Sequence, residues 1–202
     1  MLVPIHPDMD PKYSRNIDKA RQDFQRARRR AAIERLLTSL SGKPDELLSY
    51  DEIRTQLKFS SAIDRGIQNI PLHAIVGTVG RQRDFTRSFL PTNPNDEERW
   101  ASVRNFMESD SVPPIEVYQV GDAYFVIDGN HRVSAARRLG YDSIPAHVVE
   151  VGTRVTLSHH DNPEQIFCKA RYADFIDATS LDELRPGSNL MMTLCDQYDL
   201  LL

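Results

Sequence analysis

The stretch YFVIDGNHRVSAARRLGYDSIPAHVVE, residues 124–150, decides the fold. An apolar run closes on Asp128-Gly129, and Asn130 to Leu139 is rich in alanine and arginine, the composition of a helix. Gly140 supplies the stop, and SIPAHVVEV reads as another strand. The order is strand, sharp turn, helix, strand. The first backbone N–H groups of a helix lack partners, and its dipole is positive there, so the turn is suited to an anion. Gly129 permits close backbone approach, Arg132 offers a planar charged fork, and His131 offers a donor or a proton-transfer group. Asp128, at the strand end, suits a metal ion or a substrate proton. The plainer alternative is that Asp128 or Asn130 caps the helix while His131 and Arg132 sit in solvent.

Working upstream, PIEVYQVGDAYFVID alternates apolar and polar residues on both sides of Gly121-Asp122, the pattern of a hairpin. NPNDEERWASVRNFM reads as a helix capped by Asn95, with Glu98 three residues on and Trp100, Val103 and Met107 sharing one face. Before it, Ile70 to Val76 is short, apolar and partly β-branched, and predicts a strand. That strand runs into a glycine-marked loop carrying Thr78, Arg81, Arg83, Asp84 and Arg87. If this loop and the Gly129 turn both lie at neighbouring strand ends, the arginines would support a polyphosphate. Otherwise it is a solvated basic loop.

These elements predict a compact α+β domain over residues 66–151. Residues 1–65 read as a helical extension, with a long helix over 11–40 and a second short helix from Asp51. Ile17, Phe24, Ala27 and Ala31, with Ile33, Leu36, Leu37 and Leu40, give the long helix its apolar stripe. Residues 152–202 read as a short α/β extension, with a helix near Tyr172 to Thr179, a turn at Pro186-Gly187 and a strand near Leu190 to Leu194.

A charged share of 27% beside 40% hydrophobic residues describes a folded chain, and a net charge of −4 argues against a surface that is basic throughout. The long helix is the exception. Arg15, Lys19, Arg21, Arg26, Arg28, Arg29, Arg30 and Arg35 outnumber Asp18, Asp23 and Glu34 there. With no signal sequence pattern and no apolar run near membrane-spanning length, the expectation is a cytoplasmic protein without membrane contact. Cys168 and Cys195, lacking any CxxC or zinc spacing, read as buried apolar groups. The pair His159-His160 is a weak metal candidate, since adjacent side chains tend to point apart.

The segments IPLHAIVGTVGRQRDF, DEERWASVRNFM and PPIEVYQVGDAYFVIDGNHRVSAARRLGYDSIPAHVVEV resemble, in order and in the Gly-x-x-Arg box, the ParB/sulfiredoxin superfamily. The resemblance covers roughly residues 68–151. It implies that fold, with the helical extension before it and the α/β extension after. Asn130 stands where partition proteins place a glutamate tied to CTP hydrolysis and where sulfiredoxins place their catalytic cysteine, so neither chemistry carries over. The local match is nearer to the DGHHR-like box of free-serine kinases, and implies phosphate contact by Gly129 to Arg132 with a substrate or metal role for Asp128.

The leading expectation is a protein that binds CTP, ATP or ADP, with Mg2+, and hydrolyses the nucleotide or transfers a phosphoryl group. Gly129, Asn130, His131 and Arg132 would hold phosphate, with Thr78, Arg81, Arg83 and Arg87 in support. Asp128 and His131 would serve in catalysis, Asp128 also as metal ligand, with Asp84 the reserve carboxylate. A second reading makes the chain a nucleic-acid-associated regulator that contacts backbone phosphates through the basic helix. A third makes it an interaction module whose N-terminal helices pack on a partner or form a homodimer.

Overall fold

The computed structural model describes residues 11–42, 45–59, 61–109, 112–187, 190–192 and 194–201. A six-stranded mixed sheet, in the order β1-β3-β5-β4-β6-β2, lies at its centre. Its strands are β1 (Leu48–Ser49), β2 (Ala62–Pro71), β3 (Ile75–Thr78), β4 (Ile115–Val120), β5 (Ala123–Asp128) and β6 (Ser143–Val151). β4 and β5 form the expected hairpin through Gly121-Asp122, while β3 runs parallel to β5 and β6 parallel to β4. The predicted strand over 70–76 is two strands. β2 ends at Pro71, which has no N–H to give the ladder, and a 3-10 turn over Leu72–Ala74 redirects the chain between β2 and β3.

Side chains alternate across the sheet and build two cores. On one face Val117 and Val126 meet Trp100, Val133 and Phe24, which come from α3 (Glu97–Ser109), α4 (Asn130–Leu139) and α1 (Pro11–Ser41). On the other, Val120 and Phe125 meet Ile53, Leu57 and Ile166, from α2 (Tyr50–Leu57) and α5 (Pro163–Thr179). The helical extension is thus part of the layered body. Trp100 is fully buried, stacks at a tilt on Phe24 and donates from Nε1 to Ser134 Oγ at 2.9 Å, so it locks three helices together.

Four sequence expectations change. The apolar stripe of α1 divides in two: Ala20, Phe24, Ala27 and Ala31 are buried, whereas Ile33, Leu36, Leu37 and Leu40 are exposed. At 100° per residue the leucine group lies on the side of the helix opposite the buried seam. The cap before α3 is Asn93 rather than Asn95: its side chain accepts from Asn95 N across a 3-10 turn, Pro94–Asp96. α5 begins well before Tyr172 because Asn162 and Gln165 form a reciprocal capping box. Leu190 to Met192 are not in a strand, and Thr193 lies outside the described residues.

The longer α5 also corrects the reading of the cysteines. It places Cys168 on the face that receives the final 3-10 turn, Cys195–Leu200, and the two half-buried cysteines form a disulfide with Cα atoms 4.9 Å apart. Beside that bond, Tyr198 packs on Phe175 and Ile176. Finally, α6 (Leu181–Leu184) follows α5 through Ser180. Among the described residues no helix is long and apolar enough to cross a membrane.

Candidate phosphate site at the N-terminus of α4

The sheet's register brings the loop and the turn together. Thr78 at the end of β3 lies opposite Val126 of the parallel strand β5, so both chains leave the sheet at the same end. Val79 N and Thr78 Oγ1 both donate to Val126 O, at 2.9 and 3.0 Å, and fasten the loop beside the turn.

Gly129 sits at φ +112°, a conformation rarely open to other residues, and a Cβ there would lie 2.4 Å from Ile115 Cγ2. As the N-cap of α4 it has no side chain with which to cap the helix. The first intrahelical bond runs from Val133 N to Gly129 O, so the N–H groups of Asn130, His131 and Arg132 face outward from the helix end. They meet a cavity of about 90 Å³ lined also by Arg81, Arg99 and Asp128.

The polar groups around this cavity are unusual. Asn130 and His131 are each 4% exposed, and Asn130 Oδ1 and both imidazole nitrogens of His131 are buried without a hydrogen-bond partner. Asp96 Oδ2 is in the same state. Each orphaned buried group costs about 1–3 kcal/mol, so a ligand that satisfied several of them would gain accordingly. Burial pushes the His131 pKa down to about 4, against the pull of Asp96, with Arg99 and Arg81 adding to the depression. The ring is therefore neutral at pH 7, edge-on to Phe85 at 5.3 Å between centroids.

Several expected residues hold other positions. Arg132 donates to Pro113 O at 3.1 Å and Pro114 O at 2.6 Å and is ion-paired with Asp128, which fixes the fork at the rim of the cavity. Arg81 lines the cavity while holding Asp84 at 2.7 Å. Arg83 is exposed and paired with Glu46 at 3.5 Å. Arg87 is half-buried outside the cavity lining, and the Thr78 hydroxyl is spent inside the sheet. His159 and His160 stack at 3.9 Å with Asp122 3.2 Å from His159 Nδ1, yet among the described residues no group of three or more His, Cys, Asp or Glu is placed to hold a metal ion.

Sequence reasoning passed over Asp96 and Arg99. Both fall in NPNDEERW, where an acidic start to a helix accounts for Asp96 and a solvated helix face for Arg99, and only the packing of α3 on α4 brings them to the Gly129 turn.

The fold and this turn define an α+β domain that presents an uncapped helix end and several arginines to a small anion-sized cavity. Residues 66–160 match the family model of the ParB N-terminal domain. The matched stretch thus resembles a ParB N-terminal domain, and the Gly129 turn and the Arg81 loop both lie within it. Among solved structures, sulfiredoxin from Arabidopsis thaliana is similar over 41% of this chain and 82% of its own, at 24% identity and a TM-score of 0.32. No curated protein matches the chain.

Proposed function

We propose that this protein binds a nucleoside di- or triphosphate, CTP, ATP or ADP, with its phosphates at the N-terminus of α4. The observation that carries this reading is the uncapped helix end, which opens on a cavity where both ring nitrogens of His131 are buried without partners beside Arg81, Arg99 and Arg132. Helix N–H groups and guanidinium forks are the donors a phosphoryl group needs. They supply positioning and charge neutralisation, on which phosphoryl transfer or hydrolysis mainly draws, and His131 can hold a proton beside the phosphates. Among the described residues no group of three or more His, Cys, Asp or Glu is placed to hold a cation, and Asp128, the expected ligand, is engaged by Arg132. Mg2+ enters this reading only as the counter-ion carried by the phosphates.

Calorimetric titration with CTP, ATP, ADP and GTP, with and without Mg2+, tests the reading. Replacing Arg81 and Arg99 together by alanine removes two charge-assisted contacts and should weaken binding of the preferred nucleotide by tenfold or more. Failure of all four nucleotides to bind the native chain would overturn it.

One observation supports a second reading, contact with nucleic-acid backbone. Arg29 and Arg30 are exposed on α1, and Arg29 shares a shallow cleft with Arg21 and Arg26. Such binding would weaken steeply with salt and depend little on base sequence. Loss of DNA binding in Arg29→Ala/Arg30→Ala, with nucleotide affinity retained, supports it; equal DNA affinity in the variant removes it.

A further inference from the structure

The strongest unexplained feature of the molecule is the facing of His131 and Asp96. Asp96 belongs to the 3-10 turn ahead of α3, held by Asn93, and its side chain is 15% exposed. Its Oδ1 lies 3.9 Å from His131 Nε2, too far for a hydrogen bond and near enough that a small movement would make one. Its Oδ2 is buried without a hydrogen bond, 3.9 Å from Arg81 Nη2, while Arg81 Nε is committed to Asp84. The unpartnered Nε2 of buried His131 therefore confronts part-buried Asp96 across a gap at the mouth of a helix N-terminus, and the other Asp96 oxygen has no hydrogen bond.

Burial and charge set the protonation of the ring that faces this gap. A neutral imidazole has one N–H, and protonating it would put a third cation beside Arg81 and Arg99 in a desolvated place. The groups facing His131 are Asp96 from the 3-10 turn, Arg99 from α3, Arg81 and Asp84 from the loop after β3, and the Phe85 ring. Arg132, also lining the cavity, is already neutralised by Asp128. An arriving phosphoryl group changes this balance, because its negative charge offsets the arginines that oppose an imidazolium. Both ring nitrogens then become donors, one toward Asp96 and the other toward the phosphoryl oxygen.

We infer that Asp96 is the positioning residue of His131, and that the two close into a hydrogen-bonded pair, taking one proton from solvent, when a phosphoryl group enters the cavity. The inference rests on the phosphate-site reading above. No covalent bond forms or breaks. The closed pair satisfies Asp96 and both imidazole nitrogens, and leaves Asn130 Oδ1 to accept from a donor on the ligand. The pair would also make occupancy pH-sensitive, with affinity rising as pH falls by up to about tenfold per unit.

Inorganic pyrophosphate is the probe, titrated calorimetrically at pH 7 into the full chain in buffers of differing ionisation heat, so that the slope reports protons taken up. The native chain should take up a substantial fraction of a proton and bind more tightly at pH 6 than at pH 8. Asp96→Asn should still bind, with uptake and pH dependence largely lost. In the native chain alone, the 15N resonances of His131 should move from the neutral to the imidazolium pattern on saturation, a readout independent of any variant's folding. Binding with unchanged proton uptake in Asp96→Asn, or with a neutral His131 in the saturated native chain, overturns the pairing alone. No binding of pyrophosphate to the native chain overturns the phosphate-site reading and the pairing with it.

Discussion

His131 Nε2 and Asp96 Oδ1 stand 3.9 Å apart, the imidazole almost wholly buried and the carboxylate held over it by a capped 3-10 turn. That relationship joins α4 to the start of α3, and burial of the ring, against the pull of Asp96, gives the site its pH response. The folded chain keeps His131 neutral down to about pH 4, whereas in the unfolded chain it protonates near its ordinary 6.5. Between those values the unfolded state binds more protons. The contribution of this residue is therefore fully present above pH 6.5 and is lost as pH falls toward 4, by on the order of 3 kcal/mol. Urea unfolding at several pH values should show the native chain losing stability relative to His131→Gln over that window. Parallel pH profiles for the two proteins would contradict the burial of a neutral ring.

Gly129→Ala should destabilise the chain by about 2 kcal/mol or more, because it combines a strained φ of +112° with a Cβ driven into Ile115. Gly80 is the control. It has φ +74° with nothing within 4 Å of a new Cβ, so Gly80→Ala carries only the backbone penalty, about 1 kcal/mol. Equal losses in the two variants, measured by denaturant midpoint, would show that close approach at Gly129 is unimportant.

The attachment of α1 depends on a buried ion pair. Arg104 on α3 is 3% exposed and holds Asp23 of α1 at 2.7 Å and Glu108 at 3.0 Å. Asp23→Ala leaves the guanidinium short of a partner in a desolvated seam, at a cost of about 3 kcal/mol. Joint replacement by Asp23→Leu and Arg104→Met should recover most of that stability. A loss well under 1 kcal/mol in the single variant would show that the pair is incidental.

Much of the central domain could be read from the chain because its signals are local. The alternation of β4 and β5, the glycines at 121, 129 and 140, and the alanine-rich α4 each specify a conformation within a few residues. The pairing of β1 with β3 could not be read, since Leu48-Ser49 makes a two-residue strand whose partner lies far along the chain. The outer face of α1 misled for a related reason: Ile33, Leu36, Leu37 and Leu40 satisfy a helical period whichever side they face. Asp96 and Arg99 were hidden by sufficient local explanations, the acidic start of a helix for the one and a solvated helix face for the other. A cavity formed by a 3-10 turn, a loop and a helix end is visible only when all three are placed.

The disulfide supplies a prediction about the final residues. Cys168 and Cys195 close a separation of 27 residues, for which loop entropy gives about 3.5 kcal/mol of stabilisation. Cys168→Ser, or the native chain held in reductant, should lose that stability and release Tyr198 from Phe175, seen as earlier proteolysis within 190–201. Identical melting temperatures with and without reductant would contradict a formed bond.

The most direct test of the account follows the backbone amides of Asn130, His131 and Arg132 in 1H–15N correlation spectra as CTP, ATP, ADP and GTP are added in turn. Phosphate at the uncapped end of α4 predicts that one of these nucleotides moves the three amides further than any in α1 or α5, and saturably. Spectra in which they stay fixed while other residues shift would place the ligand elsewhere and contradict the phosphate site.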